Sequence, residues 1–256
     1  MQLLKTLCLA AVLLAPTAAH AQQINIAAAA DLKFCLDAIV ASFKQAHPGS
    51  TISVSYGSSG VFATQIRENA PFDLFFSADI EYPRQLQKDG LTASAVTPYA
   101  VGRIVLWSAT VNASRLTLAD LARSDIGKIA IANPRHAPYG KRAEEALRAS
   151  GVWNKVRAKL VFGENIAQTA QFVQSGNAQV GIIALALAMS PALSGKGRYS
   201  MIPDTLHQPL EQAFVITKHG ANNALAKAFA AYLETPESRA TMTKYGFALP
   251  AQTPGR

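Results

Sequence analysis

Apolar positions along the chain fall into two alternating rhythms. Ile24-Asn25-Ile26 has the two-residue alternation of a strand, and Ala27 to Ala30 follow as a turn of small residues. From Asp31 to about Ala46 the spacing changes to that of a helix. Leu32, Leu36, Ile39, Val40 and Phe43 lie at i, i+4, i+7, i+8 and i+11, on one helical face. Pro48-Gly49 stops that helix, and the β-branched run Thr51-Ile52-Ser53-Val54 predicts the next strand. A hydroxyl-rich turn, Ser55-Tyr56-Gly57-Ser58-Ser59-Gly60, leads into helical spacing over Val61–Arg67. A strand–helix–strand opening of this kind predicts a parallel sheet with right-handed crossovers.

The same alternation continues. Phe72–Phe76 predicts a buried strand and Tyr82–Lys88 a short helix. Tyr99–Trp107 predicts a longer strand, long enough to cross between two lobes. A short helix over Leu116–Leu121 and a strand over Lys128–Ala132 precede a second candidate turn, Asn133 to Gly140, and a helix over Lys141–Ala149. Lys159–Phe162 is a strand, Gly163-Glu164-Asn165 a turn, and Ile166–Gln174 a helix. A strand over Gln179–Ile183 runs into the small-residue stretch Ala184–Met189 and a Pro/Gly/Ser loop over Ser190–Gly197. Glu211–Thr217 is the expected return crossing, and helices near Ala224–Leu233 and Glu237–Tyr245 close the chain. No internal repeat or low-complexity tract interrupts the pattern.

These turns carry the chemistry. Where a strand feeds a helix through small residues, the first helical N–H groups lack partners and the helix N-terminus holds about half a positive charge, so the turn is an anion site. Ser58 and Ser59 add hydroxyl donors without charge, and Gly57 and Gly60 let backbone approach a ligand. The simpler reading of Ser58 or Ser59 is a helix cap. Asp31 begins a helix, where its carboxylate is expected to turn back and cap the helix's own N–H groups. In open α/β sheets ligands bind at the carboxyl ends of strands, where all of these turns lie.

Composition narrows the field. The chain has 256 residues, half of them hydrophobic, and a formal net charge of +8. That excess suits small anions. No basic block and no basic–aromatic interleaving is present, so nucleic acid is not an expected partner. No nucleophile elbow, phosphate-binding P-loop, dinucleotide fingerprint or paired-histidine zinc motif occurs. His47, His136, His207 and His219 are dispersed without ligand spacing. Ser59 has no sequence-local base, which weakens a hydrolase reading, and neither an enzymatic activity nor a cofactor is expected.

Residues 1–21 read as a cleaved secretory signal: Lys5, the apolar run Leu7–Ala15, and Ala19-His20-Ala21 as cleavage site. The run is too short to span a bilayer. Of the two cysteines only Cys35 survives processing, so no intramolecular disulfide is expected, and its helical position makes it a small core residue.

Several stretches occur together in order: Ile24 to Leu32, Tyr56 to Gly60, Ala70-Pro71-Phe72-Asp73-Leu74-Phe75-Phe76-Ser77-Ala78-Asp79, Arg135 to Gly140, and Lys244-Tyr245-Gly246-Phe247. With them the chain resembles the periplasmic molybdate-binding proteins of ABC transporters. The resemblance implies an α/β, two-lobed type II periplasmic binding protein fold with a hinge of two crossing strands. It places one lobe at residues 22–99 plus 213–256 and the other at 100–212. It implies a monomer that captures molybdate or tungstate and delivers it to a membrane-embedded permease. The implied oxyanion site comprises Ala30 and Asp31 from the first turn, Ser58 and Ser59 from the second, the backbone N–H groups of Tyr139 and Ile166, and Ala184 as a further position. Asp31 stands where familiar members carry a serine, and Ala184 where they carry a ligand tyrosine. Sulfate or phosphate as ligand, a serine-dependent hydrolase and a receptor-docking sensor remain the alternatives.

Overall fold

The computed structural model describes residues 23–250; the expected signal sequence lies outside them. Ten strands and nine α-helices alternate along these residues. They are β1 (Gln23–Ala29), α1 (Lys33–Ala46), β2 (Thr51–Gly57), α2 (Ser59–Arg67), β3 (Leu74–Ser77), α3 (Glu81–Lys88), β4 (Thr97–Gly102) and β5 (Ile104–Ser108). There follow β6 (Ile129–Ala132), α4 (Pro138–Ala149), α5 (Trp153–Val156), β7 (Leu160–Gly163), α6 (Ile166–Gln174), β8 (Val180–Ala184) and α7 (Leu185–Ala188). The chain closes with β9 (Arg198–Met201), β10 (Leu210–Ile216), α8 (Ala224–Tyr232) and α9 (Pro236–Lys244).

The strands form two five-stranded sheets, in the orders β2-β1-β3-β10-β4 and β7-β6-β8-β5-β9. Each repeats one plan. Four strands run in one direction and one runs against them: β10 pairs antiparallel with its neighbours β3 and β4, and β5 with β8 and β9. The run read as one long strand, Tyr99–Trp107, is two. It breaks at Arg103, so that β4 belongs to the first sheet and β5 to the second. The chain returns to the first sheet through β10. This is the two-lobed fold with two crossing connections.

Burial follows the sheet geometry. β3, β5, β6 and β8 are buried along their whole length, as expected of strands covered on both faces, whereas the edge strand β2 alternates between exposed and half-buried positions. In the first lobe Ile24, Ile26 and Phe76 face a core shared with Leu36, Phe43 and Phe229, while Ala27, Phe75 and Val215 face Phe62, Ile66 and Leu86. Trp107 and the Ile129–Ile131 pair anchor the second core. Cys35 is buried in the first core, the place its spacing gave it.

Helix starts differ most from the sequence reading. α4 begins at Pro138, three residues before the apolar spacing does, because proline at the first helical position needs no N–H partner and already has helical φ. At the first turn, a 3₁₀ segment over Ala30–Leu32 precedes α1. The edge strand β9, Arg198-Tyr199-Ser200-Met201, was not legible, since it is polar and mostly exposed.

Candidate functional site

Four strand-to-helix turns meet between the lobes. β1 enters the 3₁₀ turn at Ala30, and β2 enters α2 at Ser59. From the other lobe come the first turn of α4, after β6, and the first residue of α6, after β7. They line a small, partly open cavity of about 10 Å³, room for about one water-sized group. The first lobe contributes Ala29, Ala30, Asp31, Gly57, Ser58, Ser59 and Ala78 to its wall, and the second Ala137, Pro138, Tyr139 and Ile166. Among the described residues no lysine, arginine or histidine lines it. The first N–H groups of each helix lack intrahelical partners, so the wall offers neutral donors converging from opposite sides.

Six positions singled out in the sequence, Ala30, Asp31, Ser58, Ser59, Tyr139 and Ile166, therefore lie on one cavity. Ala184 does not line it. It ends β8, pairs with Ile104 and is fully buried. Ala78 and Ala137 were missed; a small residue next to a turn carries no sequence signal beyond its size.

The serines are not caps. Ser58 occupies the N-cap position of α2, but its hydroxyl makes no capping bond and donates across the cleft to the His136 carbonyl. The N–H of Gly60 donates to the same carbonyl at 3.0 Å. The same hydroxyl lies 3.0 Å from His136 Nδ1. Ser59 accepts the Ala78 N–H at 3.0 Å, which fixes its oxygen at the cavity wall and leaves its own proton free to donate. α6 is capped from its own turn, the Asn165 side chain accepting from the Gln168 N–H at 3.0 Å.

Asp31 departs from expectation. Its carboxylate does turn into the protein, but it makes no capping hydrogen bond. Oδ2 accepts the Tyr139 hydroxyl at 2.9 Å and the Gln212 amide at 2.7 Å. A long-range pair of strong donors outcompetes the local cap once the lobes meet. Oδ1 is buried without a partner. Burial pushes the carboxyl up from 3.8 to about 6, against the opposing pull of the Gln212 and Tyr139 donors and of the nearby backbone N–H groups. The same burial, with the Asp31 charge nearby, drives the Tyr139 hydroxyl well above its ordinary value and the Cys35 thiol up to about 12.

A further cross-cleft contact joins charged groups: Arg142 on α4 approaches the Asp79 carboxylate at 3.6 Å, both largely buried. The lobes are thus in direct contact at three places, Ser58 with His136, Asp31 with Tyr139 and Asp79 with Arg142.

A sequence profile of bacterial extracellular solute-binding proteins matches residues 24–248. The chain belongs to this family. Within the family it is 38% identical to the molybdate-binding protein ModA of Rhodobacter capsulatus over 202 residues, 78% of each chain. It is 36% identical to ModA of Azotobacter vinelandii over 233 residues, 91% of this chain and 92% of the other. The solved periplasmic molybdate-binding protein of Azotobacter vinelandii superposes with a TM-score of 0.83 at 31% identity, covering 89% of this chain and 99% of that one. These relatives are solute-binding proteins.

Proposed function

We propose that this protein captures molybdate, and tungstate with it, outside the cytoplasm and hands it to the permease of an ABC transporter. The observation that carries the reading is the convergence of four helix starts, two from each lobe, on a small cavity without a cation. A tetrahedral dianion is held there by the backbone N–H groups of Ala30, Asp31, Tyr139 and Ile166 and by the Ser59 hydroxyl. Neutral donors fixed by packing select by geometry, where a lysine would attract any anion. Each hydrogen bond to a charged acceptor contributes about 1.5–3 kcal/mol, so a handful, less the cost of association, supports sub-micromolar capture. The molybdate-binding relatives support the choice of ion.

The two lobes, the first sheet with the chain up to Gly102 and from Leu210 onward and the second sheet with the chain between them, a few residues beyond the expected bounds at 99 and 213, close on the ion by bending at the two crossing connections. Closure is a population shift toward the state in which both sets of donors reach the ligand. Export through a cleaved signal to the periplasm, and action as a monomer, complete the proposal.

A second reading has one observation in its favour. Asp31 Oδ1, buried beside the cavity and unpartnered, is the acceptor that a protonated oxyanion such as hydrogen phosphate needs. Calorimetric titration of the protein with molybdate, tungstate, sulfate and phosphate separates the two. A cage spaced for metal–oxygen bonds leaves sulfate short of about two donors, a deficit of at least a hundredfold. Equal affinity for sulfate, or a preference for phosphate, would remove molybdate from the proposal.

A further inference from the structure

A chain of buried polar groups runs from the crossing strands to the anion site. The Tyr99 hydroxyl on β4 donates to Gln212 Oε1 on β10 at 2.6 Å. The Gln212 amide donates to Asp31 at 2.7 Å and lies 3.1 Å from the Tyr139 hydroxyl, which itself donates to Asp31 at 2.9 Å. Tyr99, Gln212 and Asp31 stand on strands of the first sheet or the turn that follows β1, and Tyr139 alone comes from the second lobe. Its hydroxyl therefore reaches this cluster only when the lobes are together. With the lobes together the four side chains are almost fully buried, so in that arrangement each missing partner is costly.

Gly102 lies where this cluster touches the crossing. It is the last residue of β4, one residue before the chain breaks into the second sheet. A Cβ there would overlap the Tyr139 hydroxyl and lie 2.7 Å from Gln212 Nε2. The Gly102 backbone is not in the left-handed region, so conformation alone does not demand glycine. Lateral space does.

We propose that the Tyr139 hydroxyl and Gln212 form a lock that holds the lobes in the anion-gripping arrangement, and that Gly102 is bare so that the lock can seat. Tyr139 and Gln212 are positioning residues in this scheme. By anchoring the Tyr139 ring to Asp31, the lock sets the spacing between the N–H donors of the α4 turn and those of the first turn. Bending at the crossing strands and the width of the anion cage become one movement, because Gly102 at the bend packs on the hydroxyl that spans the cage. The inference rests on the anion-binding reading above.

A double-mutant cycle with Tyr139→Phe and Gly102→Ala tests it, using the full mature chain and molybdate as probe. Tyr139→Phe keeps the backbone N–H and the ring and removes only the hydroxyl. We expect about tenfold weaker binding, appearing in the dissociation rate, with an unchanged melting temperature for the unliganded protein. Gly102→Ala is expected to weaken binding at least as much and to enlarge the liganded protein in small-angle scattering. In the double variant the two losses should not multiply, because the ring without its hydroxyl leaves room for the new Cβ. A purely structural role predicts instead a lower melting temperature without ligand and multiplying losses. Either of those results, or wild-type affinity in either single variant, overturns the lock. If the wild type binds another oxyanion of the titrated set, the cycle is run with that ion. If it binds none, the anion reading fails by itself in that titration and takes the lock with it, whereas failure of the lock alone shows only in the variants.

Discussion

The two halves of the cavity wall are built from different chemistry. The first lobe contributes polar side chains, the hydroxyls of Ser58 and Ser59 and, turned inward from the wall, the Asp31 carboxyl, each tied to a partner remote in sequence. The second lobe presents backbone. Ala137, Pro138 and Ile166 carry no polar side-chain atom, and the Tyr139 hydroxyl is turned to Asp31. Yet the sheets behind the two halves follow the same plan of four strands in one direction and one reversed strand next to the edge. The same scaffold therefore supports two tasks. In the scheme proposed above, side chains on one lobe set what is admitted, and helix starts on the other add their donors only on closure.

The sharpest way to break this division is to keep the second lobe away. Gly60, at the start of α2, donates to the His136 carbonyl across the cleft, and a Cβ there would sit 2.7 Å from that oxygen and 2.8 Å from the Tyr82 hydroxyl. Gly60→Ala should prevent full closure and forfeit the donors of Tyr139 and Ile166. Two such bonds at about 1.5–3 kcal/mol each predict at least a hundredfold loss of molybdate affinity in calorimetry. A loss below about tenfold would mean that the second lobe contributes little.

The next largest effect concerns Asp31 and pH. Its carboxyl is raised from 3.8 to about 6 by burial. The folded protein then binds more protons than the unfolded chain between those values. Stability from the neutral carboxyl is complete below about pH 4 and is lost as pH rises through about 6, by on the order of 3 kcal/mol. Asp31→Asn keeps an acceptor for Tyr139 and Gln212 and cannot ionise. Its melting curve should lack this component between about pH 4 and 6 when subtracted from that of the wild type. Its molybdate affinity should change by less than about tenfold. A gain of several hundredfold would place the charged carboxylate against the anion and shift the selectivity of the first lobe to charge.

Ser59→Ala probes a single donor. Removing one hydrogen bond to a charged acceptor should weaken molybdate binding about ten- to hundredfold, while folding is nearly unchanged. Because Ser59 also accepts the Ala78 N–H, a modest drop in melting temperature is expected as that N–H loses its partner. Unaltered affinity would reduce Ser59 to a prop for Ala78.

The smallest effect belongs at the rim. His136 Nε2 lies 3.4 Å from the Glu164 carboxylate, which is 73% exposed. Water screens such a pair, so Glu164→Gln should alter affinity by less than about threefold. A larger change would extend the working surface of the second lobe beyond its backbone.

Much of this architecture was legible in the chain itself. The alternation of two-residue and helical spacing gave the strand and helix order, because burial on one face of a helix leaves a periodic trace. Small residues and hydroxyls at strand ends marked Ala30, Ser58 and Ser59, and the resemblance added Tyr139 and Ile166, all now found on one cavity. What the chain did not show are the partners that depend on two distant segments meeting. Gln212, 181 residues from Asp31, reads in sequence only as a polar residue heading the apolar run Ala213–Ile216. Asp31 reads as a helix cap, since capping is the best local use of its carboxylate. The tertiary structure gives it a tyrosine hydroxyl and an amide instead, because burial makes two strong donors worth more than one backbone N–H. Gly102 reads as a strand end and becomes the point where the crossing strand meets that cluster. Local spacing determines which faces are buried; only the docking of two sheets decides what a buried polar group meets there.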